Sequence, residues 1–174
     1  MNIYITELTA KHTDIYKRLI LRGLKDDVDS FRIAPADEES EPFPTTGQSD
    51  SFTLGAYDKN KLIGVASFKR ADENRLKLRH KGILFKIYVL EEYRQKGIAK
   101  QLIQETINRA KTIADLEQIN LTVIPTNKHA KMLYEKFGFK TFASEEKAIK
   151  WKGKYFNEDQ MKLMLPGQTK YDPV

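Results

Sequence analysis

Cysteine is absent from the 174-residue chain, which excludes disulfides, thiolate metal sites and any covalent cysteine intermediate. The three histidines, His12, His80 and His129, are scattered, so no histidine metal cluster is expected. Nowhere do eighteen apolar residues follow one another, and residues 1–8 lack a basic then apolar leader. A cytoplasmic protein without a membrane partner is the expectation. With only nine glycines and six prolines, the chain has no low-complexity segment, and no internal repeat is visible. The nucleotide loops Gly-x-x-x-x-Gly-Lys-Ser/Thr and Gly-x-Gly-x-x-Gly are both missing, which puts ATP and NAD behind other ligands.

What is present suits one domain over residues 1–174, since 40% hydrophobic residues in a chain of this length can bury a substantial core. The net charge of +6 would suit nucleic acid, an anionic membrane surface or a phosphate-rich cofactor. The bases are interleaved with acids, as in Lys25-Asp26-Asp27 and Glu145-Glu146-Lys147, and no basic block or nucleic-acid motif occurs. No nucleic-acid partner is therefore expected.

Residues 2–8 alternate as a strand, and Thr9 can cap a helix with Ile15, Tyr16, Leu19 and Ile20 on one face. Residues 29–50 hold three prolines and the acids Asp37, Glu38, Glu39 and Glu41, which read as a short helix and a loop. Residues 52–57 and 62–69 form a predicted hairpin, and a charged turn at 72–79 leads to a strand at 83–89. From Gln95 to Ala114, apolar residues recur at three- and four-residue steps and predict a long amphipathic helix. A strand with Ile119, Leu121 and Val123 follows, then a helix with Ala130, Leu133, Tyr134 and Phe137 on one face, ended by Gly138. Strand, long helix and strand make a parallel crossover, and residues 139–165 add two further strands. The result is an α/β domain.

The stretch Tyr93-Arg94-Gln95-Lys96-Gly97-Ile98-Ala99-Lys100 joins a strand to the start of the long helix and has the layout of an anion site. The first amides of a helix have no intrahelical acceptor and stand at the positive end of its dipole. Gly97 and Ala99 keep that approach open, and Arg94, Lys96 and Lys100 add formal charge. A diphosphate ligand is predicted. The same residues would also serve as an ordinary helix start with a solvated basic face.

The pattern Arg94-Gln-Lys-Gly97-Ile-Ala99 resembles the acetyl-CoA loop of the GNAT superfamily of N-acetyltransferases, Arg/Gln-x-x-Gly-x-Gly/Ala. A second motif of that family, Asn-x-x-Ala-x-x-Leu-Tyr-x-Lys-x-Gly-Phe, is similar to Asn127-Lys-His-Ala130-Lys-Met-Leu133-Tyr134-Glu-Lys136-Phe-Gly138-Phe139. The resemblance is detailed from residue 83 to 139 and weak before residue 52. It implies a GNAT-like fold: a mixed, mostly antiparallel central sheet in three layers with a parallel β-α-β crossover. It further implies acetyl-CoA as cosubstrate and an amine as acceptor. The strands at 87–89 and 119–124 would splay, with the backbone of Ile87, Tyr88 and Val89 pairing with the pantetheine arm. Amides of Gln95, Lys96, Gly97, Ile98, Ala99 and Lys100 would hold the pyrophosphate, and Asn127 would touch the cofactor or simply cap its helix.

Tyr134 matches the family tyrosine that often protonates the departing thiolate, although its neighbours also make it an ordinary core tyrosine. Many relatives carry a glutamate base on the strand before the loop. Residues 82–90 contain no carboxylate, and Glu91 and Glu92 lie past its end. Deprotonation through ordered water or by an acid from elsewhere is the expectation. A noncatalytic acyl-CoA-binding module is the alternative function, and pairing of the C-terminal strands into a homodimer is expected from the resemblance.

Overall fold

Nearly every residue in 52–57 and 62–68 is buried, so these strands need cover on both faces. The computed structural model describes residues 1–72 and 74–166 and supplies that cover as three layers. The elements are β1 (Ile3–Leu8), α1 (Thr13–Asp26), α2 (Pro35–Ser40), β2 (Ser51–Asp58), β3 (Lys61–Arg70), β4 (Lys81–Val89), α3 (Ile98–Ala110), β5 (Gln118–Val123), α4 (Lys128–Lys136), β6 (Lys140–Trp151) and β7 (Lys154–Met164). They build one sheet in the order β1-β2-β3-β4-β5-β7-β6. Among the described strands only β4 and β5 pair in parallel, joined by the α3 crossover.

Adjacent side chains on β4 show how the layers sit. A Cβ on Gly23 of α1 would strike the Tyr88 ring at 2.8 Å, whereas one on Gly64 of β3 would meet Val89 and Leu102 of α3. Successive strand residues point to opposite faces, so α1 and α3 cover opposite sides of the sheet. The core between them includes Tyr16, Ile20, Phe52, Phe68, Leu102 and Ile103, all buried.

Boundaries shift where local backbone geometry overrides periodicity. Helix α3 starts at Ile98 rather than Gln95, because Gln95 (φ 60) and Gly97 (φ 78) are left-handed and cannot continue a right-handed helix. It ends at Ala110. Helix α1 starts at Thr13, since a 3-10 turn at Ala10–His12 intervenes after Thr9. The charged turn before β4 contains a short 3-10 segment, Leu76–Leu78, and its residue 73 lies outside the described residues, as do 167–174 of the expected domain. No helix among the described residues is long and apolar enough to cross a membrane.

Candidate active site

The sheet opens at its centre. Parallel pairing between β4 and β5 runs from Lys81↔Gln118 to Ile83↔Asn120 and stops, although both strands continue. Beyond that point the strands diverge around a cleft of about 530 Å³, lined among others by Leu84, Lys86, Ile87, Thr122 and Tyr134. A bulge marks the divergence: on β3 only Ala66 separates Val65 from Ser67, but on β4 both Lys86 and Ile87 separate their partners, Tyr88 and Phe85. Lys86 takes φ 48 there. An extra residue in one strand bends it and re-aims its side chains, and such bulges favour active sites.

Past the end of β4 the chain runs through a short turn into the N-terminus of α3. Tyr93 N and Arg94 N bond to Leu90 O and Glu91 O, and the next backbone donation into the helix is Gln101 N to Gly97 O at 3.0 Å. The left-handed residues Gln95 and Gly97 turn the intervening amides of Gln95, Lys96, Gly97, Ile98, Ala99 and Lys100 into the uncapped end of the helix dipole. A Cβ on Gly97 would meet nothing within 4 Å, so the space over this turn is open. Lys100 is exposed beside it, and Lys96 reaches Glu92 O at 2.8 Å. Arg94 is differently engaged. Its Nε donates to Val89 O at 3.1 Å, its guanidinium pairs with Asp27, and it lies over the Tyr88 ring, so its charge is directed to the end of α1.

Asn127 begins α4 by accepting from Ala130 N at 3.2 Å, and its Nδ2 donates to Ser30 Oγ at 3.3 Å. Both bonds are structural and join α4 to the loop after α1. Tyr134 lines the cleft with 8% of its surface exposed, and its ring meets Phe139 edge-on at 6.0 Å. Burial pushes its phenol well above the usual tyrosine range, so the group stays protonated. Glu92, past the end of β4, is tied to Arg22 and Lys61.

In the acidic segment 37–41, Asp37, Glu39 and Glu41 are exposed and Glu38 is not. Glu38 is fully buried, with Oε2 2.6 Å from Lys86 Nζ, and Glu41 lies 3.4 Å from the same ammonium. Asp37 accepts from Ala34 N at the start of α2. The bulge that turns Lys86 toward α2 creates this pair, and no pattern within either segment announces it. Arg32, Glu145 and Glu158 also border the cleft and were not selected by sequence reasoning. A signal existed: Glu158-Asp159 puts two acids inside a strand, and both are buried.

A mixed sheet covered on both faces and parted between two parallel strands that a crossover helix joins defines an acyl-CoA N-acyltransferase type of fold. The acetyltransferase (GNAT) family model matches residues 21–139, more than half of the chain, and the chain belongs to that family. An N-alpha-acetyltransferase from Saccharolobus solfataricus is 45% identical over 60 residues, covering 34% of this chain and 36% of that protein. The chain thus aligns with only about a third of that relative's length. Solved structures share the fold across nearly the whole chain. The acetyltransferase of GNAT family from Streptococcus pneumoniae superposes with a TM-score of 0.80 at 22% identity, covering 94% of this chain and 100% of that one. The protein yncA from Salmonella typhimurium, solved with its cofactor acetyl-CoA, gives 0.77 at 15% identity, covering 100% of each.

Proposed function

We propose that this protein is an N-acetyltransferase that moves the acetyl group of acetyl-CoA to a primary amine of a small molecule or peptide by direct attack in a ternary complex. The observation that carries this reading is the opening of β4 from β5 after Ile83↔Asn120, with β4 continuing through a short turn into the open N-terminus of α3. Extended thioester and diphosphate chemistry fit these two features in series. The unpaired edge of β4 at Ile87, Tyr88 and Val89 would bind the pantetheine arm as an added strand. Amides from Gln95 to Lys100, with Lys96 and Lys100, would hold the pyrophosphate, and Arg94 would join them only by leaving Asp27.

Asn127 would sit beside the arm while capping α4, and amides near Val89 would stabilise the oxyanion. Tyr134 would supply a proton to the leaving thiolate. This chemistry needs no metal and no covalent enzyme intermediate. The single domain is read as cytoplasmic, and the long exposed outer strand β6 would provide the edge for a homodimer.

Acetyl-CoA should raise the melting temperature by binding the folded state, and pantetheine analogues without the diphosphate should do so much less. Equal shifts at matched concentration would exclude the pyrophosphate role of α3. Gly97→Glu should weaken acetyl-CoA binding at least about tenfold by placing a carboxylate where phosphate belongs. Gly97→Ala pays the same left-handed backbone penalty without the charge, so calorimetry on both variants isolates the electrostatic part. Equal affinities in the two would remove the anion-site reading.

A further inference from the structure

Glu158, on β7, is 2% exposed, and its Oε2 has no hydrogen-bond partner among the described residues. Arg32 Nε lies 2.9 Å from that oxygen as an ion pair without a directed hydrogen bond, and the Arg32 side chain is 61% exposed. A buried carboxylate whose neutralising cation stands half in solvent is held by an exchangeable partner. Directly opposite Glu158 in the β6–β7 register is Glu145, so two carboxylates face each other across the hairpin. Like charges paired across strands repel, and a local conflict of this kind points to function.

The surroundings show where the unmatched negative charge resides. Glu158 and Gln160, two residues apart on β7, line the cleft with Asn120 and Thr122 of β5, Glu145 of β6 and Tyr134 of α4. Lys86 of β4 borders the same cleft but is held by Glu38 and Glu41, and Lys69 of β3 lies over the Phe85 ring. Asp159 pairs with Lys131 of α4 at 2.6 Å. Burial pushes the Glu158 carboxyl above the usual range, Arg32 and Thr122 pull it back, and Glu145 adds to the rise. A carboxylate poised upward suits a general base.

Resting on the acetyl-transfer reading above, we infer that Glu158 receives the acceptor's ammonium group in place of the Arg32 guanidinium and takes its proton, with Glu145 supplying the second negative charge of the site. One proton passes from the ammonium to the Glu158 carboxylate, leaving a free amine. The nitrogen forms its bond to the thioester carbonyl carbon as the carbon–sulfur bond breaks. Tyr134 gives its proton to the thiolate and regains one from the nitrogen, so the products are the amide and free CoA thiol. Glu158 then releases its proton to water as Arg32 returns.

The test follows CoA release by the full chain at saturating acetyl-CoA, over a range of pH. The two acceptor probes are an Nα-blocked lysine, whose amine titrates near about 10.4, and a short peptide, whose α-amine titrates at about 7.7–8.0. Glu158→Gln should lower kcat/KM for the lysine probe about a hundredfold near neutral pH, with unchanged acetyl-CoA Kd. The deficit should shrink as pH rises toward the amine's own value, and it should be smaller for the peptide. Arg32→Ala, at an exposed position, should shift the acid limb of the profile to higher pH, because a cation no longer favours the carboxylate. That limb decides the matter even if Glu158→Gln fails to fold. A loss uniform across pH and amines, or an acid limb unmoved by Arg32→Ala, would overturn the role of Glu158 while leaving acetyl transfer intact. A parent protein that acetylates neither these probes nor any amine in a broad screen would overturn the acetyl-transfer reading and Glu158's role with it.

Discussion

Tyr134→Phe is expected to lower kcat about a hundredfold while barely moving the acetyl-CoA Kd or the melting temperature. The substitution removes one hydroxyl and keeps the ring that packs on Phe139 at 6.0 Å. Positioned proton transfer contributes roughly a hundredfold to ten-thousandfold, and the lower end applies for a physical reason. An ordinary phenol titrates near about 10 and a thiol near about 8.5, so full transfer to a thiolate is already uphill. Burial raises the Tyr134 phenol further. Its hydroxyl therefore gives up its proton late, as charge develops on sulfur and a proton arrives from the nitrogen, which holds its contribution to the lower end.

Because the shift is upward, loss of the Tyr134 proton should produce no alkaline limb in the parent's kcat profile below pH about 10. A purely packing tyrosine would give nearly normal kcat with a modest loss of stability. Full kcat in Tyr134→Phe, with chemistry shown to be rate-limiting, would exclude the catalytic role.

Lys86→Met should destabilise the fold by about 3–5 kcal/mol, because it strands a buried carboxylate. Glu38 is fully buried, its Oε1 has no hydrogen-bond partner among the described residues, and its Oε2 sits 2.6 Å from Lys86 Nζ. In a domain of this size that loss lowers the melting temperature by roughly 10 °C. Adding Glu38→Gln should recover more than half of it, since removing both charges costs far less than removing one. A double-mutant cycle by thermal and denaturant unfolding measures the coupling. A single-variant cost below about 1 kcal/mol would mean that the pair is effectively solvated. The pair fixes α2 to the β4 bulge, and the loop leading into α2 carries Arg32, so Lys86→Met should also raise acceptor KM more than it changes acetyl-CoA Kd.

The features on which the proposed cofactor site rests were legible because their signals are contiguous. Helix-end amides, the left-handed Gly97 and the neighbouring lysines fall within seven residues, 94–100, and the second motif, 127–139, lies on one helix and its end. Periodicity likewise exposed the order of strands and helices, since burial of one helix stripe or one strand face leaves a local trace. Helix starts were misplaced by a few residues where Gln95 and Gly97 adopt left-handed backbone and where a 3-10 turn precedes α1.

The carboxylates of the proposed acceptor side left no such trace. Glu158 reads as one acid among many until the β6–β7 register sets Glu145 opposite it, and that register slips at Thr141/Ala143 and again at Glu145/Ile149. The first slip, of one residue, reverses which side chains face the cleft, and the second, of two, shifts them along the strand, so alternation alone could not place them. Glu38 meets Lys86 only because an extra residue in β4 turns that lysine toward α2. The sequence by itself determined the family, the order of the elements and the turn that opens α3, all of which depend on neighbours along the chain. Tertiary structure alone decided where β4 leaves β5 and which carboxylates face the cleft, because strand register, bulges and burial arise from contacts between segments far apart in sequence.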